Sequence, residues 1–133
     1  MIEKTPIEPT YKKVNGLWNL RTDQLPLPEG FNVNERSIVY IPSGEYGGNH
    51  KHPRREAFVG VGEELYMIWE DEKSHIHEEK MMDGEQIFMF DVEPFTPHAV
   101  VNRGSGFAIL VELATGPNVS VERVDILNTE AEA

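Results

Sequence analysis

The sequence has no cysteine among its 133 residues. Disulfide bonds, cysteine-ligated zinc sites and thiol nucleophiles are therefore excluded. Basic residues are also scarce, because 12 Lys and Arg stand against 23 Asp and Glu, for a formal charge of −11. A protein that binds duplex nucleic acid needs a basic face to displace counterions. We therefore expect no nucleic-acid partner.

Long hydrophobic runs are missing as well. No stretch approaches the roughly 18 apolar residues that a membrane span requires. The opening residues, MIEKTPIEPT, place Glu3 and two prolines where a signal peptide has its apolar segment. We therefore expect a cytoplasmic protein with no membrane partner.

No segment has the length and the 3.6-residue period of a helix. Short runs rich in β-branched and aromatic residues recur instead, separated by Gly, Pro and Asp turns. Such spacing is typical of a sandwich or a barrel, so we predict a single all-β domain. The predicted strands cover residues 36–42, 56–62, 64–70, 74–82, 85–92, 98–102, 106–113 and 119–127.

The prolines are concentrated in the first part of the chain, at positions 6, 9, 26 and 28. We interpret residues 1–35 as an N-terminal arm with room for one short strand. Residues 36–127 form the predicted barrel, and residues 128–133 form a polar tail. The arm could pack on the barrel or add a strand to a neighbour's sheet, which would favour a homodimer.

Histidines carry the strongest functional signal. His50 and His52 form a His-x-His pair, and residues two apart in a strand project from the same face. Glu56 shares that face if the strand runs on without a bulge, and His98 could join from another strand. Three imidazoles and a carboxylate suit an open site for a divalent transition metal. The alternative is that the pair is ordinary surface polarity.

A second pair, His75 and His77, lies in an acidic run with Glu78 and Glu79. We interpret it as the solvated face of a hairpin. The alternatives are a weaker metal contact or a pocket wall.

The first histidine pair belongs to a longer pattern, Gly44-x5-His50-x-His52-x3-Glu56-x5-Gly62. This pattern is similar to the first motif of the cupin superfamily, whose last gap is one residue longer. Residues 97–102, PHAVVN, resemble the second cupin motif and keep its His-x3-Asn spacing. Glu93 and Phe95 stand where that motif has Pro and Gly.

The resemblance covers residues 36–113. It implies a double-stranded β-helix, or jelly-roll barrel, with a metal near one end, a small-molecule substrate at the barrel mouth, and a homodimer. By position it makes His50, His52, Glu56 and His98 the ligands of one divalent metal, which could be Fe, Mn, Ni, Co or Zn.

A second resemblance concerns the segment GGNHKH, residues 47–52. It is similar to the Gly-Gly-His-x-His segment of sugar-nucleotide ketoisomerases and epimerases within the same superfamily. Those enzymes usually work without a metal and use the histidine as an acid or base. This resemblance implies a carbohydrate substrate.

Several side chains near the predicted mouth are candidates for substrate contact. Arg36 and Tyr40 share one face of the first barrel strand. Arg54 is two residues from both His52 and Glu56, so in a continuous strand it would project from the same face as they do. The forked donors of Arg54 could bind a carboxylate or a phosphate, although the side chain could instead balance an acidic surface. The candidate catalytic base is Tyr46 or, alternatively, a glutamate.

Four functions are compatible with this sequence. We favour a metal-dependent carbohydrate isomerase or epimerase, in which the metal polarises a carbonyl. The alternatives are an Fe(II) dioxygenase of a small organic acid, a binding module without turnover, and a metal-free sugar-nucleotide ketoisomerase.

Overall fold

The computed structural model describes residues 1–116 and 121–127. In these ranges the regular secondary structure is all strand, apart from one 3₁₀ helix at Thr22–Gln24. The described part contains no helix long and apolar enough to cross a membrane. The strands are β1 (Ile2–Ile7), β2 (Tyr11–Lys12), β3 (Trp18–Asn19), β4 (Glu35–Ile41), β5 (Tyr46–Lys51), β6 (Glu56–Val61), β7 (Leu65–Glu70), β8 (Ile76–Lys80), β9 (Met82–Asp83), β10 (Gln86–Val92), β11 (His98–Asn102), β12 (Ala108–Ala114) and β13 (Glu122–Arg123).

Two antiparallel sheets make up the body of the molecule, which confirms the all-β prediction. The larger sheet has the order β1-β10-β6-β12-β4, with β9 paired to β10, and the smaller has the order β13-β5-β11-β7-β8. Phe58, Phe90 and Leu110 from the larger sheet pack with Met67 and Val100 from the smaller one. The main core therefore lies between the two sheets.

A second apolar cluster covers the outer face of the larger sheet. Leu25 and Phe31, from the segment before β4, pack there against Val59, Met89 and Leu113. The larger sheet is therefore buried on both faces, which explains why β6 has five buried residues in succession instead of alternating.

The N-terminal segment packs on the barrel of its own chain, which is one of the two placements that the sequence left open for the arm. Six residues of β1 pair with β10 of the same chain, from Ile2 opposite Val92 to Ile7 opposite Ile87. Ile2 packs in the core between the sheets, and Ile7 packs in the cluster on the outer face. Pro6 is compatible with this strand because β1 lies at the sheet edge.

Strand β5 was not among the predicted strands, because its sequence YGGNHK has two glycines and little strand propensity. Its ladder with β11 pairs His50 with His98 and then Gly48 with Ala99, so that Asn49 is left over as a bulge. Gly48 and Asn49 both have positive φ, at 86° and 67°. The side chain of Asn49 holds the bulge, since its Oδ1 accepts the Ile126 amide at 2.9 Å.

The C-terminal strand is shorter than predicted. Within residues 121–127 only Glu122 and Arg123 are in strand conformation, paired with β5. Residues 119 and 120 of the predicted strand, and the predicted tail, lie outside the described residues.

The turn before β11 shows how the departure from the second cupin motif is accommodated. Phe95 occupies the position of the motif glycine and has a φ of 63°, in the left-handed region that favours glycine. Its amide donates to the carbonyl of His52 at 2.8 Å. The turn is therefore tied to the residue that follows β5.

Candidate functional site

Three of the five histidines converge between the two sheets. His50 lies near the end of β5, His52 follows that strand directly, and His98 begins β11. Their ring centroids are 5.0 to 5.5 Å apart, and one ring nitrogen of each lies within 4.8 Å of the others. His52 and His98 are buried, whereas His50 is half-buried. The smaller sheet thus gathers the three imidazoles that the sequence predicted.

Glu56 reaches the same cluster from the larger sheet. Its Oε1 lies 2.7 Å from Nε2 of His52 and 3.2 Å from Nε2 of His98. Strand parity is not the reason, because residues 52–55 form a turn and Glu56 begins β6. The predicted convergence of Glu56 with the histidines is therefore present, but its cause is the connection between two sheets.

Three buried atoms of this cluster lack hydrogen-bond partners. Both ring nitrogens of His52 and Oε1 of Glu56 are buried without a hydrogen bond, since their 2.7 Å contact lacks hydrogen-bond geometry. A buried polar group left unpaired costs about 1–3 kcal/mol. Donor atoms that approach each other in this way suit a shared cation better than they suit one another.

His98 is oriented by the backbone. Its Nδ1 donates to the carbonyl of Thr96 at 2.8 Å, so the lone pair of Nε2 is directed toward the cluster. Metal-binding histidines are commonly held in this manner. The donor set of three imidazoles and one carboxylate therefore fits a divalent transition metal.

Arg54 connects the cluster to two further carboxyl groups. Its Nη2 donates to Glu56 and to Glu112, both at 3.0 Å. Its Nη1 donates to Glu35 at 2.8 Å and to the carbonyl of Gly116 at 3.1 Å. The guanidinium is thus saturated at both ends of its fork, and it holds the Glu56 oxygen that does not face the histidines.

The electrostatics keep His50 available as a ligand. Burial, together with the charges of His98 and His52, lowers the pKa of His50 to about 4. Burial raises the pKa of Glu56, but contacts from His52 and His98 outweigh it and hold that pKa well below its usual range. Burial and the proximity of Glu56 raise the pKa of Glu112 to about 8. At neutral pH the cluster therefore presents a neutral His50 and an ionised Glu56.

A cavity of about 260 Å³ lies against the cluster. Residues of β4 and β5 form part of its wall, and His50 is among them. The other lining residues are Glu35, Ser37, Val39, Gly47, Gly48, Arg54, Glu56, Phe58, His98, Val100, Leu110 and Glu112. Its size is slightly below the roughly 300–1,000 Å³ of drug-sized sites, so it suits a small molecule.

Two of the predicted substrate-binding residues do not line this cavity. Arg36 and Tyr40 project from the opposite face of β4, where Tyr40 is 61% exposed and stacks on Phe107 at 5.1 Å. The alternate positions Glu35, Ser37 and Val39 face the cavity instead. The prediction for β4 chose the wrong face, because apolar residues occur in both registers.

Tyr46 also lies outside the cavity, contrary to the prediction that it acts there as a base. It pairs with Val101, whereas Gly47 pairs with Val100, which lines the cavity. Tyr46 is 39% exposed and borders a surface depression with Val121 and Arg123, which shares Gly48 and His50 with the cavity.

Glu35 and Glu112 line the cavity but were not predicted from the sequence. Glu112 is a lone carboxylate in an otherwise apolar strand, two residues from the inward-facing Leu110. A charged residue at a strand position whose neighbours two residues away face inward is the signal that could have identified Glu112.

The second histidine pair does not join the cluster. His77 is exposed, with its Nε2 2.7 Å from Oδ2 of Asp71 and its ring stacked on Trp69 at 5.0 Å. His75 is still more exposed. This placement agrees with the interpretation of a solvated hairpin face.

No family model matches the sequence, and no curated protein matches it. Among solved structures, the chain resembles a dTDP sugar isomerase from Desulfovibrio desulfuricans G20, with 11% identity over 92% of this chain and 83% of that one and a TM-score of 0.73. It also resembles the sugar 3,4-ketoisomerase QdtA from Thermoanaerobacterium thermosaccharolyticum in complex with TDP, with 10% identity over 87% and 81% and a TM-score of 0.61.

A third likeness is to the capsular polysaccharide assembling protein CapF from Staphylococcus aureus, at 17% identity over 80% of this chain, with a TM-score of 0.60. The chain spans about a third of CapF, 35% of its length. At sequence identities this low, the similarity is evidence for the fold and not for the function. Together with the two-sheet topology, they confirm that the chain has the cupin fold, a double-stranded β-helix.

Proposed function

We propose that the protein binds one divalent transition metal through His50, His52, Glu56 and His98 and uses it to isomerise or epimerise a small sugar. One observation carries the metal proposal. Four donor atoms from two sheets converge, three of them on buried residues, and those of His52 and Glu56 lack any hydrogen bond. When bound there, the metal supplies a Lewis acid that polarises a carbonyl oxygen.

The surrounding residues prepare the ligands. The Thr96 carbonyl fixes the His98 tautomer, and Arg54 occupies the second oxygen of Glu56. Because the cavity adjoins His50 and His98, a substrate oxygen in it can reach the same centre as the four donors. The apolar side chains of Val39, Val100 and Leu110 on the wall would limit the access of water to the reacting carbon.

The isomerase part is supported by the fold and by the cavity wall. A dTDP sugar isomerase and the ketoisomerase QdtA share the fold of this chain. Moving a hydrogen between adjacent carbons requires a side chain that takes up and returns a proton. With Tyr46 outside the cavity, Glu35 is our candidate, because it lines the cavity and contacts Arg54 but none of the four metal ligands.

Proton exchange with solvent tests this proposal. Protein loaded in turn with Fe(II), Mn(II), Ni(II), Co(II) or Zn(II) would be incubated in D₂O with a panel of aldoses and ketoses. NMR would then follow deuterium at the carbon beside the carbonyl. We expect exchange with the metal-loaded protein and none with the metal-free protein or with His98→Ala.

Other outcomes point to the alternatives. Exchange that persists after complete metal removal would replace the proposal with a metal-free ketoisomerase. Oxygen consumption by the Fe(II) protein without exchange would favour a dioxygenase. Metal binding with neither exchange nor oxygen consumption across the panel would favour a binding module.

A further inference from the structure

The cavity beside the histidine cluster has more carboxyl groups on its wall than Lys or Arg side chains. Its lining contains three carboxyl groups, from Glu35, Glu56 and Glu112, and one cationic side chain, Arg54. Arg54 donates hydrogen bonds to all three of these carboxyl groups. No second Lys or Arg is among the described residues that line the cavity, so the wall offers no free basic side chain to an incoming anion.

Arg54 is not available to bind a substrate acid, contrary to the expectation from the sequence. Its two terminal nitrogens already donate to Glu35, Glu56 and Glu112, at 2.8 to 3.0 Å. The side chain is only 7% exposed, and its unpaired Nε is buried. Recognition of a carboxylate or phosphate by arginine uses a pair of parallel N–H donors, and here those donors are taken.

The nearest other basic residues along the chain do not supply a replacement. Arg55 is paired with Asp91 through two hydrogen bonds, at 2.9 and 2.6 Å. Lys51 lies 3.6 Å from Glu122. Neither residue is on the cavity wall.

The rest of the wall favours an uncharged ligand. Val39, Phe58, Val100 and Leu110 are apolar, and Ser37 contributes a hydroxyl. The carboxyl oxygens of Glu35 and Glu112 can accept hydrogen bonds from hydroxyl groups. The volume of about 260 Å³ holds a small molecule but does not enclose a nucleotide-linked sugar.

We propose that this cavity selects small uncharged polyhydroxy or hydroxycarbonyl compounds, such as free sugars, and rejects their phosphate, carboxylate and nucleotide derivatives. This inference rests on the proposed function and narrows its substrate class. It sets the chain apart from QdtA, whose structure holds TDP. The physical reason is that an anionic group beside the carboxyl groups of Glu35 and Glu112 would find no Lys or Arg free to pair with it among the described residues of the wall.

NMR titration of the 133-residue chain tests the inference directly. The probes are neutral monosaccharides, the same sugars as 6-phosphates and uronic acids, and inorganic phosphate. Backbone amides of Ser37 and Gly47 report on the cavity, and both the metal-free and the Zn(II)-loaded protein are titrated. We expect at least one neutral sugar to shift these amides with an affinity at least tenfold above that of its charged derivatives.

A charge variant and a matched control sharpen the result. Glu35→Gln removes a carboxylate from the wall. It should lower severalfold the ratio of the affinity for neutral sugars to the affinity for their charged derivatives. Glu85→Gln removes the same charge at an exposed position outside the cavity and should leave the preference unchanged. Tighter binding of any charged derivative to the wild type would overturn the inference, and so would binding of no neutral sugar or an equal effect of the two variants.

The metal content of the same samples separates this inference from the proposed function. Neutral-sugar selectivity in a protein that takes up no metal would contradict the metal proposal alone. A metal-loaded protein that prefers phosphates would contradict the charge inference alone.

Discussion

Apart from the four candidate metal ligands, Arg54 is the residue on which the geometry of the candidate site depends most. It is buried among carboxyl groups and holds Glu56 in the orientation that turns one oxygen toward the histidines. Replacement by methionine keeps most of the volume but leaves Glu56 buried without its cation. Removing one partner of a buried ion pair typically costs about 3–5 kcal/mol.

We therefore predict that Arg54→Met lowers the free energy of unfolding by about 3 kcal/mol in urea denaturation. Arg55→Met is the matched control, because Arg55 is adjacent but partly exposed and pairs with Asp91 instead. A loss no larger than that of Arg55→Met would show that the Arg54 network does not support the site.

Asp71 provides a second test at the level of single residues, away from the histidine cluster. The hydrogen bond from His77 and the amides of His75 and Lys73 lower the pKa of Asp71 to about 2. This pKa is below the ordinary aspartate value of 3.8, so ionised Asp71 stabilises the folded state at pH values above 3.8. The stabilisation is lost as the pH falls through about 2.

We predict that His77→Ala raises the pKa of Asp71 toward the ordinary value of 3.8, as measured by NMR titration of its carboxyl carbon. His75→Ala should have a smaller effect, since the backbone amide of residue 75 remains. An unchanged Asp71 pKa in His77→Ala would mean that the contact between the two side chains is absent in solution.

At the level of elements, the bulge in β5 decides which side chains face the cavity. A Cβ atom on Gly48 would lie 3.1 Å from the carbonyl of His98, and the residue has a φ of 86°. Gly47 lies next to it in the same strand, yet a Cβ there would meet nothing within 4 Å. The two glycines therefore form a matched pair for mutation.

We predict that Gly48→Ala destabilises the protein by about 1–3 kcal/mol and weakens metal binding, because strain at the bulge displaces His50 and His98. Gly47→Ala should change both quantities little. Thermal unfolding and metal titration measure them, and equal effects of the two substitutions would contradict this account of the bulge.

The elements also show what could be predicted from the sequence. Runs of β-branched and aromatic residues identified β6, β7, β10 and β11, because buried strands require apolar side chains. Strand β5 was missed, since its glycines serve the bulge and the close approach to β11 and lack strand propensity. Strand β1 was underestimated because its pairing with β10 is a long-range contact that local patterns do not contain.

The candidate site could be predicted only in part for similar reasons. The spacing of the two motifs identified the four convergent donors, which are His50, His52, Glu56 and His98. The faces of Arg36 and Tyr46 could not be predicted, because they depend on the covering of the larger sheet and on the bulge at Asn49. Such features arise from tertiary packing.

For the whole molecule, the homodimer remains a prediction. Sedimentation velocity of the purified protein at micromolar concentration should give twice the mass of the chain. A single species with the mass of one chain would contradict the expectation. The double-stranded β-helix itself does not depend on the outcome, because both sheets and both apolar clusters form within one chain.

The metal content of the purified, tag-free protein tests the central claim most directly. We predict about one transition metal per chain for the wild type and for His75→Ala, and almost none for His98→Ala, with the fold retained by circular dichroism. His98 is suited to this test because it lies at the end of β11 and not in the main apolar core. Wild-type protein that takes up no metal after reconstitution with Fe, Mn, Ni, Co and Zn would contradict the claim, as would unchanged metal content in His98→Ala.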